Sequence, residues 1–164
     1  LIVWVEGIQI QQNQTIVNLA CQGKDGKIGT LRAVSSYRGY EWGDRIYSGG
    51  IKGTYIVVGS GQTYDPLTSS ITFNSYLSSG WGPWEKLIVP TRNIRVDEVY
   101  RFYLSFPQLP QGSTQLRLYL EDLEPAIELD YFFAKALKLR LEQNTQSQAP
   151  IANSNIYTKE KKDY

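Results

Sequence analysis

Two aromatic clusters are the residues of this sequence best suited to binding another molecule. Tyr40 and Trp42 lie in one glycine-flanked stretch, and Trp81 and Trp84 lie in another. We predict that both stretches are loops, because loops usually carry the binding residues of a rigid scaffold. Trp and Tyr join a flat apolar ring to a polar tip, which suits anchoring a partner protein or stacking on a sugar ring. An alternative is that Trp81 and Trp84 fold back as plugs at one end of the domain.

Acidic residues form three groups that could supply a pair of catalytic carboxylates. Glycoside hydrolysis requires only two opposed carboxyl groups, so such pairs are the simplest catalytic site open to this sequence. The groups are Glu41 with Asp44, Asp97 with Glu98, and Glu121 with Asp122 and Glu124. The first lies in a predicted loop beside Trp42, and the other two are typical of charges at turns and strand ends. We therefore predict that the protein is not an enzyme, with a carboxylate hydrolase as the remaining catalytic alternative.

The residues needed for most other catalytic and metal sites are missing. The chain has no His, which excludes Ser-His-Asp and Cys-His nucleophile systems and the usual zinc sites. Cys21 is the single cysteine, so it has no disulfide partner within the chain, and its apolar neighbourhood predicts a buried, unreactive thiol. Since no Asp-x-Asp spacing suggests a calcium site, we predict neither a metal nor a cofactor.

Charge and hydropathy limit the possible partners. Lys and Arg total 17 and Asp and Glu total 16, so the formal net charge is +1. That balance provides no basic surface for nucleic acid or anionic lipid. No apolar run approaches the roughly 18 residues that a membrane-spanning helix needs. We therefore predict no nucleic-acid partner and no membrane span.

Short runs of alternating apolar residues between turn signals are the dominant pattern of the chain. They occupy residues 16–21, 51–58, 70–77, 99–106 and 116–120. A chain of 164 residues fits one domain. Evenly spaced strands of this kind predict a mostly β fold, namely an antiparallel β-sandwich of immunoglobulin-like or jelly-roll-like type.

Several turn residues are expected to interrupt these strands. Gly7 separates two alternating patterns, 3–5 and 8–10. The Ser-Ser-Gly sequence at 78–80 is expected to end the preceding strand, and Pro90 to end a short one.

The segment from Ala126 to Gln143 fits two structures. A helical stripe runs through Ile127, Tyr131, Ala134, Leu137 and Leu141, and helix propensity agrees with it. Strict alternation over 135–142 fits a strand equally well. We favour a final strand there because of the all-β context, with a possible short helix near 126–134.

The composition changes at Asn144 and divides the chain into a β-sandwich domain, 1–143, and a polar C-terminal arm, 144–164. A segment this polar cannot bury enough apolar area to order itself. We expect the arm to lie along a neighbouring subunit.

One stretch resembles a hairpin of immunoglobulin-like sandwich domains from bacterial envelope proteins. Residues 99–121 read as a strand, a Phe-Pro-x-Leu-Pro-x-Gly turn and a second alternating strand that ends in an acid. The matching residues are Phe106, Pro107, Leu109, Pro110, Gly112, Leu116, Leu118 and Glu121. Residues 7–19 are similar to the first hairpin of such domains. The resemblance covers about a third of the chain and implies this fold, an extracytoplasmic location and no catalytic residues.

Together these features predict a non-catalytic structural or accessory subunit of a larger extracytoplasmic assembly. Its partners would be other protein subunits, docked through the aromatic loops, exposed strand edges and the C-terminal arm. The alternative is a carbohydrate-binding module that uses Tyr40, Trp42, Trp81 and Trp84.

Overall fold

The computed structural model describes residues 1–32, 38–42, 45–49, 54–81, 85–112, 115–121 and 123–147. Within these ranges, residues 38–42, 45–49, 75–81 and 85–90 are described by their backbone pairing alone.

Thirteen strands and one C-terminal helix occur in the described residues, which confirms the predicted mostly β fold. In chain order they are β1 (Ile2–Ile10), β2 (Gln14–Gln22), β3 (Gly29–Arg32), β4 (Arg38–Trp42), β5 (Arg45–Gly49), β6 (Tyr55–Val58), β7 (Thr63–Tyr64), β8 (Thr68–Ser69), β9 (Ser75–Trp81), β10 (Glu85–Ile94), β11 (Tyr100–Pro107), β12 (Leu116–Tyr119), β13 (Ile127–Glu128) and α1 (Asp130–Ser147).

The strands form three sheets, and every strand pair among the described residues is antiparallel. Sheet A has the order β1-β2-β11-β8, and sheet C has the order β13-β12-β6-β7. Sheet B has the order β3-β10-β4-β5, and β9 also pairs with β10. β4 pairs with the first half of β10 and β3 pairs with the second half, so β4 and β3 follow one another along β10.

A β-bulge in β1 explains why its apolar pattern changes phase. Val5 pairs with Leu19 and Gly7 pairs with Asn18, so Glu6 is an extra residue opposite β2. A bulge of one residue offsets the two-residue period of a strand. As a result Ile8 is buried, and Val3, Val5 and Ile10 also pack against the core, although Gly7 lies between them.

One hydrophobic core joins the three sheets and the helix. Sheet A contributes alternate residues of β2 and β11, and sheet C contributes alternate residues of β6 and β12. The fully buried side chains from these strands include Val17, Leu19, Leu104, Phe106, Ile56, Leu116 and Leu118. Leu31 and Ile94 of sheet B and Phe133 of α1 belong to the same cluster. The alternation that predicted the strands therefore marks the core-facing residues.

The Phe-Pro-x-Leu-Pro-x-Gly segment is a crossover between sheets, so the predicted hairpin is wrong here. β11 pairs with β2 and β8, whereas β12 pairs with β6 and β13. Leu109 is buried at 3% exposure, so the loop is anchored in the core. Gly112 has φ of 79°, a backbone conformation that favours glycine. Residues 7–19, in contrast, do form most of the β1–β2 hairpin.

Two predicted strand ends are also wrong. Residues 70–74 are not in a strand, and β9 continues through Ser78, Ser79 and Gly80 to Trp81 because each of these residues pairs with β10. β10 likewise continues through Pro90. On the side of β3 and β4, Pro90 falls between the two paired segments of β10, where a missing N–H costs little.

The C-terminal helix corrects the strand favoured for 135–142. α1 spans Asp130–Ser147, so it begins later and ends later than the short helix considered for 126–134. The N–H of Leu116 donates to the Asp130 carboxylate, and Phe133 is buried in the core. Leu139 and Leu141 are exposed, so the alternation at 137–141 does not produce one buried face. High helix propensity together with the buried Phe133 favours the helix.

The start of the polar segment is helical as well. α1 extends to Ser147, four residues into the predicted arm that begins at Asn144. The Thr145 hydroxyl donates to the carbonyl of Leu141, and the Ser147 hydroxyl donates to that of Asn144. Residues 148–164 lie outside the described part of the chain, and the prediction that they lie along a neighbour stays a prediction.

Candidate functional site

The predicted aromatic residues lie mainly in strands, which corrects the prediction that they lie in loops. Tyr40 and Trp42 belong to β4, and Trp81 is the last residue of β9. Tyr and Trp are favoured in strands, and this preference outweighs the nearby glycines. Trp84 lies outside the described residues.

Strand pairing nevertheless brings the predicted residues to one end of sheet B. Trp42 pairs with Glu85 on one side of β10, and Trp81 pairs with Glu85 on the other. Neighbouring strands are about 4.8 Å apart, so the two tryptophan Cα atoms are about 10 Å apart. Trp84 directly precedes Glu85 in the chain.

A second aromatic row follows in the same register. Tyr40 pairs with Leu87 of β10 and with Tyr47 of β5. Tyr40 and Tyr47 thus form one row across β4 and β5. This row lies two residues along the strands from the row that contains Trp42 and Trp81. This convergence depends on β10, which contains no aromatic residue and which the sequence predicted only as a short strand ending at Pro90.

Two carboxylates of the predicted acidic groups, Asp97 and Glu98, form local ion pairs. Asp97 lies 3.4 Å from Arg95, and Glu98 lies 3.1 Å from Arg92. Glu41 pairs in register with Lys86, whereas Asp44 and Asp122 lie outside the described residues. These contacts do not bring two acidic side chains together across a groove.

Arg92 is the centre of a polar cluster that joins β10 to β11 and to the segment before β9. Its guanidinium lies 3.9 Å from the centre of the Tyr100 ring and donates to the carbonyl of Thr72 at 3.0 Å. The N–H of Thr72 in turn donates to the Tyr100 hydroxyl. The backbone N–H of Arg95 and the guanidinium of Arg92 both donate to Glu98, which lowers the pKa of its carboxyl. The two terminal nitrogens of the Arg92 guanidinium have acceptors in the cluster, whereas its buried Nε has no partner among the described residues. The contacts connect three segments of the fold, which indicates a structural role.

Cys21 is buried, as predicted. Burial, with a smaller contribution from the Glu98 carboxylate, raises the pKa of its thiol from 9.0 to about 12. A thiol with such a pKa is almost entirely protonated at neutral pH, and the thiolate is the reactive form. Cys21 is therefore unsuited to nucleophilic chemistry.

Sheet C carries a small aromatic surface that sequence reasoning missed. The rings of Tyr55 and Tyr119 stack with centroids 4.9 Å apart, across paired positions of β6 and β12. Arg117 lies beside them and forms a 3.0 Å ion pair with Glu128. The adjoining depression has a volume of about 160 Å³. Since small-molecule sites usually have about 300–1,000 Å³, this surface can hold one side chain or one small ring.

The outer side of α1 carries exposed apolar side chains beside an open hollow, and sequence reasoning did not place a surface there. Tyr131, Leu139 and Leu141 are 71%, 50% and 56% exposed. Ala134, Leu137 and Leu141 line an open hollow of about 580 Å³ along the helix. The helical stripe in the sequence contains Ala134, Leu137 and Leu141, and the strand favoured for 135–142 hides the surface that they form.

In the ranges that the structure describes, no three His, Cys, Asp or Glu residues are close enough together to hold a metal ion. The helix within those ranges is too polar to span a bilayer. Compared with models of protein families, with curated proteins and with solved structures, the chain matches none.

Proposed function

We propose that this protein is a non-catalytic structural or accessory subunit of a larger extracytoplasmic assembly, and that α1 is one of its docking surfaces. The observation that carries the proposal is the hollow along α1, where Leu141 is 56% exposed beside Ala134 and Leu137. Contiguous exposed apolar surface is typical of protein–protein contact sites. The extracytoplasmic location rests on the sequence resemblance to envelope domains, of which residues 7–19 form the implied hairpin and residues 99–121 do not.

The free edge of β1 offers a second means of docking. Among the described strands, β1 pairs only with β2, at the end of sheet A. Arg140 of α1 donates to the carbonyl of Gln11, just beyond the end of β1. The helix thus approaches β1 at its Ile10 end, and the Ile2 end can accept an added strand from a partner.

Site-specific photo-crosslinking in the source cell tests the proposal. Benzoylphenylalanine at position 141 should give one reproducible protein adduct, because Leu141 lines the hollow. The same probe at position 139 is the matched control, since Leu139 is exposed to a similar extent on the same helix but does not line the hollow. A chain that migrates as a monomer in native extracts and gives no adduct at position 141 would contradict the proposal.

A carbohydrate-binding module is the second candidate function. It is favoured by the placement of Trp42 and Trp81 on either side of Glu85, because sugar sites combine aromatic platforms with acceptors for hydroxyl groups. A glycan array should then show a ligand, and Trp81→Ala and Trp84→Ala should each abolish its binding. Tyr103→Ala is the control, because Tyr103 is an exposed aromatic residue of sheet A. An array without a ligand would eliminate this candidate.

A further inference from the structure

The hollow-lining residues of α1 follow the spacing of a helix–helix seam. Ala134, Leu137 and Leu141 are separated by three and then four residues, the a/d spacing of a coiled coil. Phe133 is buried on the core side, whereas Leu141 is 56% exposed. The seam therefore faces away from the protein's own core and is suited to another helix.

The charges beside the seam indicate which helix fits. Lys138 and Glu142 both line the hollow, one turn apart on the same side of the helix. Neither forms an ion pair with another residue of the described ranges. A partner helix should therefore present an acid opposite Lys138 and a base opposite Glu142.

A second copy of α1 meets this requirement when the two helices are antiparallel. We place a twofold axis at the level of residue 140, perpendicular to the helices. Lys138 then lies about 3 Å from the axis along the helix. Because the second copy runs in the opposite direction, its Glu142 lies about 3 Å to the same side, at the level of Lys138. The symmetry repeats the pair on the other side of the axis. It also places the two Leu141 residues within about 3 Å of the same level, next to Leu137 of the opposite copy.

We propose that the protein forms a homodimer through antiparallel packing of α1, with a Leu137–Leu141 seam and two Lys138–Glu142 pairs between the copies. This inference rests on the proposed assembly role and names the partner at the α1 surface.

Self-association of the full-length purified chain, measured by light scattering and sedimentation, is the first test. Wild type should be dimeric, and Leu141→Lys should raise the dissociation constant at least about tenfold, a change of about 1.4 kcal/mol. Leu139→Lys introduces the same charge at a comparably exposed position of α1 outside the hollow and should leave the dimer intact. Circular dichroism should show that both variants stay folded.

Reversing the charges of Lys138 and Glu142 supplies a second test. Its result comes from mixing two variants, so it does not depend on whether one variant folds. Lys138→Glu alone and Glu142→Lys alone should each be monomeric, because each places like charges opposite each other. Mixed in equal amounts, the two variants should form a heterodimer, detectable by native mass spectrometry as a single mixed species. The double variant Lys138→Glu/Glu142→Lys should dimerise like wild type.

Other outcomes would overturn the homodimer. A wild-type chain that stays monomeric at high concentration, or a dimer that Leu141→Lys leaves unchanged, would exclude it. If the purified chain is monomeric while position 141 still crosslinks to a different protein in the source cell, the homodimer fails and the proposed assembly role stands. If the purified chain is monomeric and position 141 crosslinks to no protein in the source cell, both the homodimer and the proposed assembly role fail.

Discussion

At the residue scale, the two shifted pKa values have opposite effects on stability. The Cys21 thiol has a raised pKa because burial penalises the thiolate, and the Glu98 carboxyl has a lowered pKa because the backbone and Arg92 stabilise the carboxylate. Each shift makes the free energy of unfolding depend on pH over its own range.

Cys21 should be unreactive in the native protein. At pH 8 its modification by a soluble disulfide reagent should occur only as fast as the protein opens, because the folded thiol is buried and has a pKa of about 12. Urea should restore rapid, stoichiometric labelling. Above pH 9 the unfolded thiol ionises but the folded thiol does not, so stability should fall as pH rises from 9.0 towards 12. Cys21→Ser would show a smaller fall, whereas fast native labelling would contradict the buried placement.

Glu98 should stabilise the protein at neutral pH and lose this effect in acid. Its folded pKa is lowered, so its contribution is present above the ordinary carboxyl pKa and is lost as pH falls through the folded value. Glu98→Gln should therefore reduce stability at pH 7 and give a shallower decline between pH 5 and pH 3. Urea unfolding at several pH values measures both effects. Asp97→Asn is the control, since its ion pair with Arg95 is 75% exposed on both sides.

At the element scale, the bulge of β1 yields a test of register. Deleting Glu6 removes only the extra residue, so Val5 and Gly7 can keep their partners Leu19 and Asn18. The expected cost is about 1 kcal/mol or less, from the lost ion pair with the partly exposed Arg101. Deleting Val5 would place Glu6 at a core position and should cost more than about 3 kcal/mol. Equal losses in urea unfolding would argue against the bulge.

The attachment of α1 to the core gives a second element-scale prediction. Phe133 is 4% exposed and Tyr131 is 71% exposed on the same helical turn. Phe133→Ala should lower the free energy of unfolding by about 3–5 kcal/mol, whereas Tyr131→Ala should change it by about 0.5 kcal/mol or less. Thermal and urea unfolding of both variants measure this difference.

At the scale of the whole molecule, self-association should couple to stability. A ligand that binds only the folded state stabilises it by an amount that grows with the logarithm of the ligand concentration, and a second copy acts as such a ligand. The wild-type melting temperature should therefore rise with protein concentration, whereas that of Leu141→Lys should stay constant. Scanning calorimetry over a hundredfold range of concentration measures this. A wild-type value independent of concentration would contradict the homodimer.

The sequence determined the elements whose pattern is local. Alternation of Val17 and Leu19, or of Leu116 and Leu118, identifies a strand and its buried face without knowledge of its neighbours. The interruption expected at Gly7, in contrast, is a bulge within one continuous strand, β1. Absence of His and the isolation of Cys21 restricted the chemistry, because these depend on composition alone.

Only the tertiary structure decided which strands pair and which surfaces stay open. β11 joins β2 rather than its sequence neighbour β12, and β10 brings Trp42 and Trp81 to one residue, Glu85. The segment at 135–142 fits a helix and a strand equally by pattern, and the burial of Phe133 in a core built by distant strands selects the helix. Local periodicity cannot specify these outcomes, because pairing and exposure depend on the free energy of the whole core.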